Sequence, residues 1–111
     1  MNKRDVLFSL LDDSAVPPYV PAAFFLHFAP EYHRGQAAVD KHLEYFRYTG
    51  MDLVKIQYEQ RFPKREDIIE SGDWSRMPRY DLDFYQDQLD VVSGLVQAAK
   101  QDASCCLACH L

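Results

Sequence analysis

The chain has 111 residues, which leaves room for a single domain at most. Its 48% hydrophobic and 14% aromatic content is enough for a core and excludes a wholly disordered polymer. A net charge of −5 argues against a nucleic-acid surface, which needs clustered Lys and Arg, and no apolar run approaches the ~20 residues that cross a bilayer.

The opening MNKRDVLFSLLDD runs from basic to apolar, as a signal peptide does. Its apolar part is brief, holds Ser9 and passes into Asp12 and Asp13 without a small-residue cleavage site, so the chain reads as cytoplasmic. Val6, Leu7, Leu10 and Leu11 form a helical stripe over residues 3–11. Asn2 is placed to cap this helix, with Asp5 as the acidic partner of a capping box. The following SAVPPYVP is too rich in proline for a helix and reads as a linker.

Ala22 to Phe28 (AAFFLHF) is short, aromatic-rich and fenced by Pro21 and Pro30, which predicts a buried strand. In GQAAVDKHLEYFRYTG, Val39, Leu43 and Phe46 share one helical face, and Gly50 sits where a left-handed C-cap is wanted. Asp52 to Glu59 alternates Val54, Ile56 and Tyr58 against Lys55, Gln57 and Glu59, a strand pattern. Strand, helix and strand with short connections predict a βαβ unit with parallel strands. The polar stretch after Glu59, broken by Pro63, Gly72 and Pro78, predicts a long loop, with Trp74 as an anchor pinning it down. From Arg79 to Gln101, Leu82, Tyr85, Leu89, Val92, Val96 and Ala99 step by three and four, the clearest helical stripe in the chain. Gly94 inside it costs about 1 kcal/mol relative to alanine, which packing can override.

The succession FFLHFAPEY and GQAAVDKHLEYFRYTGMDLVKIQYE resembles the amino-terminal part of the uroporphyrinogen decarboxylase family. That family joins porphyrinogen decarboxylases and cobamide-dependent methyltransferases on a (β/α)8 barrel. The resemblance covers residues 1–102. A complete barrel needs roughly 250 residues, and this chain holds two strand–helix units and the approach to a third. The expected fold is therefore α/β, an amino-terminal fragment of a (β/α)8 barrel over residues 1–103. Its third strand is lost, and residues 104–111 form an unrelated or frameshifted tail. The resemblance implies a truncated carboxy-lyase for porphyrinogen-type tetrapyrroles, inactive alone. Two alternatives stand beside it: a fragment of a cobamide-dependent methyltransferase, and a stand-alone α/β binding module without catalysis. No cofactor and no metal are expected. The expected partners are a tetrapyrrole or a methylated small molecule in the full-length parent, and a second copy joined through the exposed strand edge, with neither nucleic acid nor membrane.

Parallel barrels gather their chemistry at the carboxyl ends of strands. His27 and Glu59 occupy such ends and are the candidate catalytic pair, with a partnered structural histidine and a structural ion pair as the plainer readings. Lys55 shares a face with Glu59 and needs a carboxylate partner if that face is buried. Tyr32, Arg34, Lys55 and Tyr58 are the candidate substrate-binding residues. In the decarboxylases a pair of arginines after the first strand holds substrate carboxylates, whereas HFAPEYHRG offers only Arg34. An essential aspartate of those enzymes follows the second strand, where Asp67 and Asp73 lie in this chain. The tail carries Cys106-Leu-Ala-Cys109-His110, by motif a c-type haem attachment string, and by context an unrelated ending of the kind a frameshift or a gene truncation produces.

Overall fold

Asn2 caps the first helix, α1 (Lys3–Ser9), as its sequence predicts: its side chain accepts the Asp5 N–H at 2.9 Å and Asp5 answers in a capping box. The helix stops at Ser9, so Val6 is buried while Leu10 and Leu11 lie outside it and exposed. The computed structural model describes residues 2–102 and the main chain of residues 107–109. Helix α2 (Gly35–Thr49) ends at Gly50, whose φ of 67° is the left-handed conformation that a residue without a Cβ adopts freely. Strand β1 (Val54–Ile56) follows, then a long connection containing a 3-10 turn at Ser71–Arg76. Helix α3 (Gln86–Gln101) leads to strand β2 (Leu107–Cys109). The two strands pair in parallel, with Val54 opposite Leu107, Lys55 opposite Ala108 and Ile56 opposite Cys109. No helix among the described residues is long and apolar enough to cross a membrane.

The core lies where α2 and α3 cover one face of β1. Ala38, Val39 and Phe46 from α2, Val54 and Ile56 from β1, and Val91, Leu95 and Ala99 from α3 form one buried cluster. Strand alternation explains the first half of this arrangement, because Val54 and Ile56 point to the same side. On α3 the buried face differs from the expected one: Val91, Leu95 and Ala99 are inside, Val92 and Val96 are half-buried, and Leu89 is 42% exposed. The cause is Gly94, over which Val39 sits so closely that a Cβ there would fall 2.6 Å from Val39 Cγ2. The helix turns toward the side that lets α2 approach.

Several expected elements change. Residues 22–28 are extended but belong to no strand, and Phe24, Phe25 and Leu26 are about half exposed. A strand there needs a ladder of main-chain bonds, and among the described residues the run makes only one to the β1 segment, from the Asp52 N–H to the Ala22 carbonyl. The second strand shortens to Val54–Ile56, the three residues that pair with Leu107–Cys109, for the same want of ladder bonds on the other edge. The third strand, expected to be lost, is present at Leu107–Cys109, whereas Cys106 and His110 of the haem-like string lie outside the described residues. Helix α3 begins at Gln86 rather than Arg79, because Asp81 accepts the Phe84 N–H in a local turn and Tyr80, Phe84 and Phe62 stack on one another. Trp74 anchors nothing, being 64% exposed. The loop is braced instead by the two Arg65–Asp67 bonds of 2.9 Å and by Arg76 donating to the Asp67 carbonyl.

Gly94→Ala is expected to lower the urea midpoint, although alanine is the better helix former by about 1 kcal/mol, since overpacking costs about 1–3 kcal/mol. Paired with Val39→Ala, it should cost less than the sum of the two single changes. A midpoint for G94A at or above wild type would mean that the helices do not touch at this crossing.

Candidate functional site

The extended run Ala22–Phe28 lies beside the β1 segment and travels in the same direction, held at both ends by carboxylates. At the near end Asp52, 8% exposed, accepts the Tyr19 hydroxyl at 2.6 Å and the Ala22 N–H at 2.8 Å, while its own N–H donates to the Ala22 carbonyl. At the far end Glu59 Oε1 accepts the Phe28 N–H at 3.2 Å. Between them Lys55 places its ammonium 3.9 Å from the Phe25 ring centre. Lys55 thus takes an aromatic partner and not the carboxylate that the sequence suggests.

Glu59 is the hub of the far end, its side chain 9% exposed. Oε2 lies 3.0 Å from His27 Nδ1 and 3.7 Å from His33 Nε2. His33 Nε2 also meets the Phe28 carbonyl at 2.6 Å, which fixes a proton on that nitrogen. Donation to Glu59 likewise places the His27 proton on Nδ1 and leaves Nε2 as an open acceptor on a ring that is 63% exposed. A carboxylate orienting a histidine whose second nitrogen faces solvent is an arrangement suited to proton transfer. Two open clefts flank it. One of about 450 Å³ touches His27, Tyr58, Glu59 and Arg61, and one of about 220 Å³ touches Arg34, Arg61, Asp87 and Gln88. Both share His33, Glu59, Gln60 and Arg61.

The structure therefore brings together His27, Glu59 and Tyr58, with Arg34 at the adjoining cleft, 3.6 Å from Asp87. It separates Tyr32 and Lys55 from both clefts: Tyr32 lies under the Lys41 ammonium, 4.9 Å from its ring centre. Asp67 and Asp73 are occupied in bracing the loop, Asp73 by accepting the Ile69 and Glu70 N–H groups at 3.0 Å. Burial, followed by the nearby charge of Tyr85, pushes the Tyr58 hydroxyl up, and that oxygen and Gln60 Oε1 are buried without a hydrogen-bond partner among the described residues. No group of three or more His, Cys, Asp or Glu among the described residues could hold a metal ion.

Sequence reasoning missed His42, which is 3% exposed behind this site. Its position was readable, since it falls three residues after Val39 and four before Phe46 on the buried face of α2. Its Nδ1 lies 2.7 Å from the Ala38 carbonyl and its Nε2 accepts the Gln57 N–H at 2.9 Å, so the ring ties α2 to the end of β1.

No family model matches the chain, nor does any curated protein or solved structure.

Two substitutions test the clamps. Burial pushes the Asp52 carboxyl up, but the bonds from Tyr19 and Ala22 and the charge of Lys3 outweigh it and hold the group below its ordinary 3.8. A carboxyl lowered on folding stabilises fully above 3.8 and loses that contribution as pH falls through the depressed value. Asp52→Asn should accordingly flatten the acid limb of the stability profile, measured by urea denaturation against pH, and a profile parallel to wild type would refute the clamp. At the other end Glu59→Gln keeps an acceptor for the Phe28 N–H, while Glu59→Ala leaves that partly buried donor unpaired. The alanine variant should be the less stable by about 1–3 kcal/mol, and equal midpoints would dismiss the Phe28 contact.

Proposed function

We propose that this chain forms the opening strand–helix units of a (β/α)8 barrel of the uroporphyrinogen decarboxylase type, a cytoplasmic carbon–carbon lyase acting on porphyrinogen carboxylates. His27 and Glu59 serve as its acid–base pair at the catalytic rim, and Arg34 and Tyr58 line the approach to substrate. The observation that carries this reading is the parallel order of the runs 22–28, 54–56 and 107–109 with α2 and α3 between them, and the meeting of His27 and Glu59 at the carboxyl ends of the first two. Such an end is where barrels place their chemistry.

The shape favours part of a larger sheet over a self-contained binding module. The radius of gyration is 17.5 Å, whereas a compact domain of this length has about 13 Å. The half-exposed Phe24, Phe25 and Leu26 await neighbours that further barrel strands supply. Alone, the chain lacks most of a pocket and turns nothing over, and it self-associates along this open edge.

A split-barrel experiment tests the reading. A uroporphyrinogen decarboxylase deleted of its first two strand–helix units is co-expressed with this chain, and loss of substrate carboxylates is followed chromatographically. Recovered decarboxylation, lowered per assembled complex by about 100-fold or more in His27→Ala or Glu59→Gln, is the expected result. Stable assembly without decarboxylation, or turnover indifferent to both substitutions, would overturn it.

A further inference from the structure

The His42 imidazole spends both nitrogens in a way that admits one proton only. Nδ1–H donates to the Ala38 carbonyl within α2, and Nε2 must be bare to accept the Gln57 N–H. A second proton would set an N–H against an N–H across 2.9 Å. The bond at stake is a hinge point, because Gln57 is the first residue past β1 and Glu59 follows two residues later. Among the described residues Gln57 has one other main-chain tie, its carbonyl accepting Gln88 Nε2 of α3 at 3.1 Å, and its buried carboxamide has no partner.

We propose that His42 is an acid-operated latch: a second proton on its ring expels the Gln57 N–H and frees Gln57–Glu59 from α2, dispersing the His27–Glu59–His33 cluster while the α2–α3 core stays packed. The groups around the latch are few. From the run 22–28 His42 meets the Phe28 ring edge-on at 4.9 Å, and Tyr45 flanks that ring at 5.7 Å. From α3 comes the uncharged Gln88 on the Gln57 carbonyl. From the segment after β1 comes the charge of Glu59, which carries His27 and His33 with it and favours a protonated His42. Burial acts against that proton and outweighs both Glu59 and the Ala38 bond, so the ring is held below the ordinary 6.5. With the folded value lowered, the latched state is fully favoured above 6.5 and loses ground as pH falls through the lowered value. The inference does not depend on the reaction proposed above, and its test reads no turnover.

The full chain is titrated from about pH 7.5 to 4.5, following histidine ring nitrogens and amide exchange by NMR. Corrected for intrinsic rates, Gln57 protection should fall about tenfold per pH unit below 6.5 until His42 is protonated, while the Val91 and Leu95 amides stay better protected than Gln57 at every pH. His42→Gln, whose amide can donate and accept without titrating, should flatten the Gln57 response. Glu59→Gln should keep the response and move it to lower pH. The latch is overturned if Gln57 protection stays level while His42 titrates, if His42 titrates at its ordinary value, or if Gln57 and Leu95 open together. Loss of the response in Glu59→Gln would assign it to the carboxylate and overturn it equally. Should His42→Gln fail to fold, the wild-type titration decides alone.

Discussion

Two carboxylates carry the arrangement on which the site rests. Asp52 and Glu59 bracket β1, and each reaches across to a main-chain N–H of the run 22–28, at Ala22 and at Phe28. Between these points no main-chain hydrogen bond joins the run to β1 among the described residues. The run is therefore set in direction and register by its ends, in the way a ladder sets a strand, but without the ladder's continuous stabilisation. Everything at the far end follows from this. Phe28 is delivered onto α2, His27 is delivered onto Glu59, and His33 closes back on the Phe28 carbonyl. At the near end α1 joins the same clamp, because the Lys3 ammonium bonds the Gly50 and Met51 carbonyls and stands over Phe46.

Behind the clamps, the α2–α3–β1 core supplies a rigid reference. Val39 over Gly94 fixes how near the helices approach, and His42 fixes where β1 ends relative to α2. Burying a histidine is costly, and the cost is offset here by two hydrogen bonds, of which the one accepted from the Gln57 N–H requires the neutral ring. Stability and candidate chemistry thus meet at one residue. The Glu59 cluster is only as well placed as the main chain at Gln57 that leads into it.

How much of this was legible depends on what each signal is made of. Local signals were read correctly: the Asn2–Asp5 box, the Gly50 cap and the stripe of α2 each arise from residues within a turn or two. Tertiary choices were not. The AAFFLHF run has the composition of a buried strand, but burial depends on neighbours, and Phe24 and Phe25 remain half exposed. The stripe Leu89, Val92 and Val96 looked inward on periodicity, while Gly94, two residues from both Val92 and Val96 and off that stripe, decided the face. Asp81 and the Tyr80–Phe84 stack cost α3 its first turns, through a turn bond and aromatic contacts that periodicity does not weigh. At the site, the location rule for strand ends placed His27 beside Glu59, whereas Lys55 and Tyr32 were drawn off by the faces of Phe25 and by Lys41. His42 had a readable helical position, and its role required knowing that β1 ends against it.

The measurement closest to the central claim is residue-resolved amide exchange along residues 22–28 of the native chain. Clamping by Asp52 and Glu59 predicts slow exchange at Ala22 and Phe28 and near-intrinsic rates from Ala23 to Leu26. Protection running through Phe24 and Leu26 would mean a hydrogen-bonded ladder in place of two clamps, and free exchange at Phe28 would mean that Glu59 does not hold the run at all.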